Sequence, residues 1–241
     1  TPEGMPEWLM INSIDPHPTE AGGAYIAGTL YKAGDFNPYL YKTMDYGKTW
    51  TKITTGIPDT HFTRVVRADP TREGLLYAGT EYGMYVSFND GDSWQPFQMN
   101  LPIVPITDLA IKNDNLIAAT QGRSFWLIDD ITPLHQLSDS VAASNFHLFK
   151  PIDTYKMPGG TSYRGSEMTS LTEGTNHPGG VMLHYYMKEK PDTASPVKLE
   201  IMDQQGKMIR SYATDAKEDD EKLEVAQGLN RFVWDMQYPK A

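Results

Sequence analysis

The side chains of this chain that could do chemistry mostly fall between stretches of strand-like sequence. Four carboxylates stand out, Asp35, Asp59, Glu81 and Asp108, together with the rings of Tyr31, Phe36, His61 and Tyr82 and the guanidinium of Arg123. Aromatic faces stack on sugar rings, while carboxylates and amides bind hydroxyls. Hydrolysis of a glycosidic bond asks for more, namely two carboxyls about 5 to 5.5 Å apart for retention or about 6.5 to 9.5 Å apart for inversion. The sequence pairs no two of these carboxylates at such a distance and leaves a catalytic pair unassigned. The chain has no cysteine, which excludes disulfide scaffolds, cysteine catalysis and thiolate zinc sites. No metal and no cofactor are expected.

The elements that must position these residues are announced by a motif present twice: Thr43-Met44-Asp45-Tyr46-Gly47-Lys48-Thr49-Trp50 and Ser87-Phe88-Asn89-Asp90-Gly91-Asp92-Ser93-Trp94. Each copy reads as strand, turn, strand. Gly47 and Gly91 allow the positive φ of a tight turn. Asp45 and Asn89 can accept hydrogen bonds from the turn's own N–H groups, and Trp50 and Trp94 start the next strand and offer a large ring to bury between sheets. Asp45 and Asp90 are therefore expected to stabilise turns rather than to bind a ligand.

The surroundings of the motif repeat as well. Ala24-Tyr25-Ile26-Ala27-Gly28-Thr29 and Tyr39-Leu40-Tyr41-Lys42 precede the first copy; Leu75-Leu76-Tyr77-Ala78-Gly79-Thr80 and Met84-Tyr85-Val86 precede the second. An apolar-Pro pair closes each unit, at Ile57-Pro58 and Leu101-Pro102. A third, degenerate copy follows at Thr107–Ile111, Leu116–Thr120 and Arg123–Asp130 without the turn motif. A spacing of roughly 40 to 55 residues fits the four-strand blades of a β-propeller. A propeller closes with at least about four blades, so the further blades are expected upstream in a longer polypeptide.

The turn motif is the Asp-box, or BNR repeat, and the chain resembles the Asp-box propellers: sialidases, xyloglucanase-type glycosidases and the sortilin ectodomain. With Tyr39-Leu40-Tyr41-Lys42-Thr43, Gly79-Thr80-Glu81-Tyr82-Gly83, Gly122-Arg123-Ser124-Phe125-Trp126 and Gly228-Leu229-Asn230-Arg231-Phe232-Val233-Trp234-Asp235, it is similar over nearly its whole length to Bacteroidetes-type proteins called glycosyl hydrolase, BNR repeat. The resemblance implies that the box lies on the face opposite the ligand site. Ligands are then met by the loops joining second to third strands and by the loops joining blades, which rim a central funnel. Those loops hold Tyr31, Asp35 and Phe36 in a long segment from Leu30 to Pro38, Glu81 and Tyr82 in a short one, Arg123 in the third copy, and Asp59, Thr60, His61 and Phe62 between blades. Sialidases use a Tyr nucleophile and an Arg cluster, and a single loop Arg departs from that pattern.

The expected fold is all-β: a partial Asp-box β-propeller of two complete blades plus part of a third over residues 1–130, a linker at 131–145, and an Ig- or fibronectin-like β-sandwich at 146–241. The sandwich rests on short alternating strands, among them a hairpin around Asp203-Gln204-Gln205-Gly206. The stretch from Pro151 to Thr175 reads as extended loop. In the resembled family the sandwich continues with more strands after the Trp-Asp segment, so this one is either short or completed elsewhere.

The net charge of −10 argues against a nucleic-acid partner, and no run of residues reaches the length of a membrane span. The expected partners are a glycan or a peptide in the funnel and the missing blades of the parent chain. The resemblance implies a secreted, periplasmic or cell-surface protein whose signal lies outside this sequence. The functional expectation is a glycosyl hydrolase-like protein to which this region supplies blades and a sandwich appendage for glycan binding or hydrolysis. The alternative is a non-catalytic, sortilin-like platform for peptides, although sortilin-like ectodomains follow the propeller with a cysteine-rich module.

Overall fold

The computed structural model describes residues 2–156, 177–192 and 194–238. The chain divides into two compact units, Thr1–Ile131 and Thr132–Ala241, and it is all-β in character.

In the first unit, β1 (Met10–Pro16), β2 (Ala24–Leu30), β3 (Asp35–Thr43) and β4 (Thr51–Lys52) form one antiparallel sheet in chain order. A second sheet repeats that order with β5 (Thr63–Ala68), β6 (Leu76–Thr80), β7 (Gly83–Ser87) and β8 (Gln95–Pro96). The third, built from β9 (Ile106–Lys112), β10 (Asn115–Thr120) and β11 (Phe125–Ile128), has three strands and ends at β11. Five consecutive residues of β2 and all of β6 and β7 are buried. Strands apolar on both faces must be covered on both, which stacks the sheets face to face. Tyr25, Ala27, Leu40 and Ile53 of the first sheet meet Val66, Leu76, Tyr85 and Trp94 of the second in one cluster. Gly79 sits where a Cβ would lie 2.6 Å from Val65 and 2.7 Å from Ile106, so only glycine admits the third sheet this close.

The other face of the first sheet carries Ile26, Tyr39 and Tyr41, packed against by Met5, Leu9 and Trp50. Beyond them it opens into a groove whose apolar lining includes Trp8, Ile11, Ile14 and Tyr46. Trp50 is accordingly half-buried, not enclosed between sheets as its repeat partner Trp94 is. The reason is geometric: among the described residues no other sheet of the first unit packs on that side of Trp50.

The second unit opens with two short helices, α1 (Thr132–Gln136) and α2 (Asp139–Ala143), where the sequence suggests a linker. Ser138 caps α2 by accepting from Val141 N. β12 (Phe146–Leu148), β13 (Val181–Met187), β14 (Lys198–Met202), β15 (Met208–Ala213) and β16 (Gly228–Trp234) follow. They form a three-stranded sheet ordered β12-β13-β16 and a separate β14-β15 hairpin. Asp203 Oδ1 accepts from the backbone of Gln205 and Lys207 in the hairpin turn. One apolar cluster serves both sheets, with Tyr185, Tyr212 and Leu223 buried and Tyr212 against Phe232 at 4.5 Å. The described residues of the second unit thus give five strands, fewer than the roughly seven of an Ig-type sandwich. Of the extended loop expected up to Thr175, residues 157–175 lie outside the described residues.

Candidate functional site

The β2–β3 turn, the β4–β5 connection and the β6–β7 turn meet at one edge of the first two sheets. The first of these is not the long loop that composition suggests. Tyr31–Ala33 winds into a 3-10 turn, and Gly34, at φ 82°, donates its N–H to Tyr31 O and closes the turn. Asp35, Phe36, Asn37 and Pro38 consequently belong to β3. Asp35 Oδ1 accepts from Asn37 N at 2.9 Å and Asn37 Nδ2 at 2.7 Å, while Oδ2 accepts from Tyr39 Oη at 2.6 Å. The Tyr39 hydrogen bond and the Asn37 N–H hold the Asp35 carboxyl below the usual carboxylate range.

The aromatic residues converge on Phe62, which is buried. Tyr31 stacks on it at 5.1 Å and Phe36 leans against it at 6.0 Å. Arg64 lies over the same ring, 5.2 Å from its centroid. The Arg64 guanidinium grips Glu81 Oε2, with Nη2 at 2.6 Å and Nε at 2.7 Å. Glu81 N also donates to Phe62 O at 3.0 Å. Next along the edge, His61 stacks on Tyr82 at 4.7 Å, and its Nδ1 lies 2.7 Å from Tyr85 Oη. Burial depresses the His61 pKa and raises that of Tyr85, so at neutral pH an uncharged imidazole faces a protonated phenol. Tyr82 and Phe36 remain 49% and 50% exposed, large for aromatic rings held by neighbours on one side.

Six of the nine residues singled out in the sequence are therefore at this edge: Tyr31, Asp35, Phe36, His61, Glu81 and Tyr82. Arg123 is not joined to them. It sits in the β10–β11 turn of the third sheet, where its N–H donates to Thr120 Oγ1 at 3.2 Å and its Nη1 to Gly122 O at 3.2 Å. Of the other carboxylates, Asp59 is exposed beside the edge, and Asp108 pairs with Arg67 at 2.7 Å on the neighbouring strand. Arg64 is the residue that sequence reasoning passes over. It reads as the polar member of an alternating strand, and only the pairing Thr63↔Thr80 brings it beside Glu81.

The paired turn motifs lie at the other ends of these strands. Asp45 Oδ1 accepts from Thr49 N at 2.9 Å, and Asn89 Oδ1 from Ser93 N at 3.0 Å. Thr43 and Ser87 hydroxyls accept from Gly47 N and Gly91 N at 3.0 and 2.9 Å. Gly47 and Gly91 have φ of 78° and 83°. The Thr49 backbone and hydroxyl bonds pull the Asp45 pKa down to about 2. Asp90 does more than shape its turn: its carboxylate accepts from Tyr25 Oη and, at 2.8 Å, from Lys42 Nζ, tying the second sheet's turn to the first sheet. Burial and the Asp90 bond together raise the Tyr25 pKa. Trp94 adds a further tie through Nε1 to Ile53 O at 2.8 Å.

Among the described residues no group of three or more His, Cys, Asp or Glu side chains could hold a metal ion, and no helix is long and apolar enough to cross a membrane. No protein-family model and no curated protein sequence matches the chain. Solved structures with partial similarity include YCF48 bound to a D1 peptide (18% identity, TM-score 0.37, 50% of this chain and 37% of that one). Others are the GH74 xyloglucanase of Xanthomonas campestris (16%, TM-score 0.41, 50% and 22%) and an ancestral GH74 enzyme (14%, TM-score 0.40, 84% and 27%). The chain thus spans well under half the length of each of these three. At such identities and scores the likeness assigns neither family nor ligand.

Proposed function

We propose that the three sheets of the first unit are consecutive blades of an Asp-box propeller, and that the edge carrying Phe36, Tyr31, His61 and Tyr82 is a non-covalent binding platform for neutral glycans. In this reading the chain belongs to a larger secreted, glycosyl hydrolase-like protein, with further blades from the parent polypeptide and an Ig-like appendage in the second unit. The observation that carries it is the convergence of half-exposed rings from three separate turns onto one edge, with amide and carboxylate groups beside them. Sugar rings stack on such faces while their hydroxyls reach the polar neighbours.

The carboxylates at the edge favour binding over hydrolysis. Asp35 is held in its ionised form by Tyr39 and Asn37, which unfits it as a general acid. Glu81 is clamped by Arg64. A catalytic pair in the parent protein would then lie outside these blades. A screen of neutral oligosaccharides against the full chain, with reducing-sugar release measured in parallel, tests the proposal. Binding without release, weakened about tenfold or more by Tyr82→Ala or Phe36→Ala, is the expected outcome. Binding that survives both replacements would remove the platform, and peptide binding without glycan binding would move the chain to the sortilin-like alternative.

A further inference from the structure

The repeat allows each sheet-to-sheet interface to be compared position by position, and the second interface lacks something the first has. Between the first two sheets, Trp94 sits in a slot formed by the segment after β4. Its N–H donates to Thr55 O at 2.8 Å and its indole Nε1 to Ile53 O at 2.8 Å. One repeat later, Phe97, Met99 and Leu101 occupy the positions of Ile53, Thr55 and Ile57. The backbone confirms the correspondence: Ile53 N donates to Leu40 O as Phe97 N donates to Met84 O, and Ile57 N to Thr54 O as Leu101 N to Gln98 O.

The slot is thus built a second time, but the third repeat has no turn motif and, among the described residues, no fourth strand to fill it. After β11 the chain turns away, with Asp130 N held by Asn115 Oδ1 and Ile131 N by Asp114 O. Neither Phe97 O nor Met99 O accepts a hydrogen bond among the described residues. A cleft remains there, lined by Phe97, Met99, Leu101, Leu116, Trp126 and Leu127. Trp126 stands opposite Ala118 as Tyr85 stands opposite Ala78. Yet Tyr85 is buried under Trp94 while Trp126 is only half-buried. Met99 stands exposed at the opening, 67% accessible, and Phe125 and Leu127 on the other face of β11 are also exposed, 76% and 50% accessible. β11 is also the edge strand of its sheet, so its outer backbone groups can template another strand.

We propose that this cleft is a docking site for an extended peptide segment carrying a tryptophan. The segment adds along β11 as the fourth strand of the third sheet and donates its indole N–H to Phe97 O, as Trp94 does to Ile53 O. Main-chain pairing supplies the affinity and the indole the selectivity, as in other strand-addition sites. The cleft encloses about 40 Å3, room for about one water, so the ring enters by displacing the exposed Met99 side chain.

The chain's own Gly91–Phe97 segment, made as a labelled synthetic peptide, is the natural probe, titrated into the full chain by fluorescence anisotropy. Saturable binding is expected, with its Trp94→Ala version about 30-fold weaker or more, the cost of truncating an anchoring tryptophan. Met99→Arg in the full chain, at an exposed position lining the cleft, should weaken the wild-type peptide by about tenfold or more with an unchanged circular dichroism spectrum. Ala118→Leu, narrowing the cleft from β10, should act likewise. Equal affinity of the two peptides, no saturable binding, or indifference to both chain substitutions would overturn the assignment. So would a concentration-dependent dimer whose formation the peptide competes away, because the cleft would then belong to a second copy of the chain.

Discussion

Replacing each of the two repeat tryptophans by alanine separates what the motif does from where it sits. Trp94 is 5% exposed, fills the slot between the first two sheets and donates to Ile53 O. Truncating a buried aromatic of this kind costs about 3 to 5 kcal/mol, and the orphaned Ile53 carbonyl contributes about 1 kcal/mol of that. Trp50 occupies the same motif position, but it is half-buried on the open face of the first sheet and its Nε1 reaches only Gly47 O of its own turn, at 3.1 Å. Loss of its partial burial costs about 1 to 2 kcal/mol. Against a typical domain stability of about 5 to 15 kcal/mol, the first substitution approaches unfolding and the second does not. Urea unfolding of the full chain, fitted with separate transitions for the two units and a common m-value, measures both. Equal losses for Trp50→Ala and Trp94→Ala would refute the reasoning, since they would mean that the outer face of the first sheet is covered in solution as fully as the inner one.

Three further outcomes follow from the same geometry. Asp90→Ala removes the acceptor shared by Tyr25 and Lys42 and should lower stability by about 1 to 2 kcal/mol, discounted because both partners of the ion pair are partly solvated; Lys42→Met in the same background should restore part of it, as seen by the urea midpoint. Asp45 has a folded pKa depressed from 3.8 to about 2, so its contribution is present above the unfolded value and lost as pH falls from about 4 through about 2. Asp45→Asn, which copies the residue found at Asn89, should flatten thermal stability across that window, and an unchanged acid profile would contradict the role given to the carboxylate. At the edge, Arg64→Met should leave Glu81 without its partner and loosen the Tyr31–Phe62 stack, weakening glycan binding together with Tyr82→Ala; binding that is insensitive to Arg64→Met would detach the ion pair from the platform.

The repeated sheets were legible because each carries the same residues in the same order. Leu40-Tyr41-Lys42 and Met84-Tyr85-Val86 both precede a hydroxyl residue and a glycine turn, so one reading serves twice. The β2–β3 turn departs from its loop-like composition for a local reason. Leu30 to Pro38 contains Gly, Asp, Asn and Pro, which read as loop, but Gly34 closes a single 3-10 turn and Asp35 caps the start of β3 through Asn37 and Tyr39. At the edge, individual residues were recognisable by type, whereas their grouping was not. Tyr31, Phe62 and Glu81 are distant in sequence and meet only because β5 lies beside β2 and β6. Arg64 was invisible because strand alternation predicts a solvated side chain there, and only the cross-strand register reveals its carboxylate.

The two ends of these sheets divide the work. At the end with the glycine turns, side chains are spent on the backbone itself: Asp45, Asn89, Thr43 and Ser87 hold their own loops, and Asp90 and Trp94 lock one sheet to the next. That end repeats because its task repeats. The opposite end carries the turns that differ, a 3-10 turn in one sheet and a two-residue connection at Glu81-Tyr82 in the next, and there the rings stay half-exposed. A scaffold fixed at one end frees the other to vary without loss of register, which is how a repeat architecture acquires a site. The third sheet departs from the pattern at the fixed end. Lacking the turn, it keeps the slot of Phe97, Met99 and Leu101 but not the tryptophan, so the part of the chain with the weakest repeat signal is the part with an unfilled receptor position.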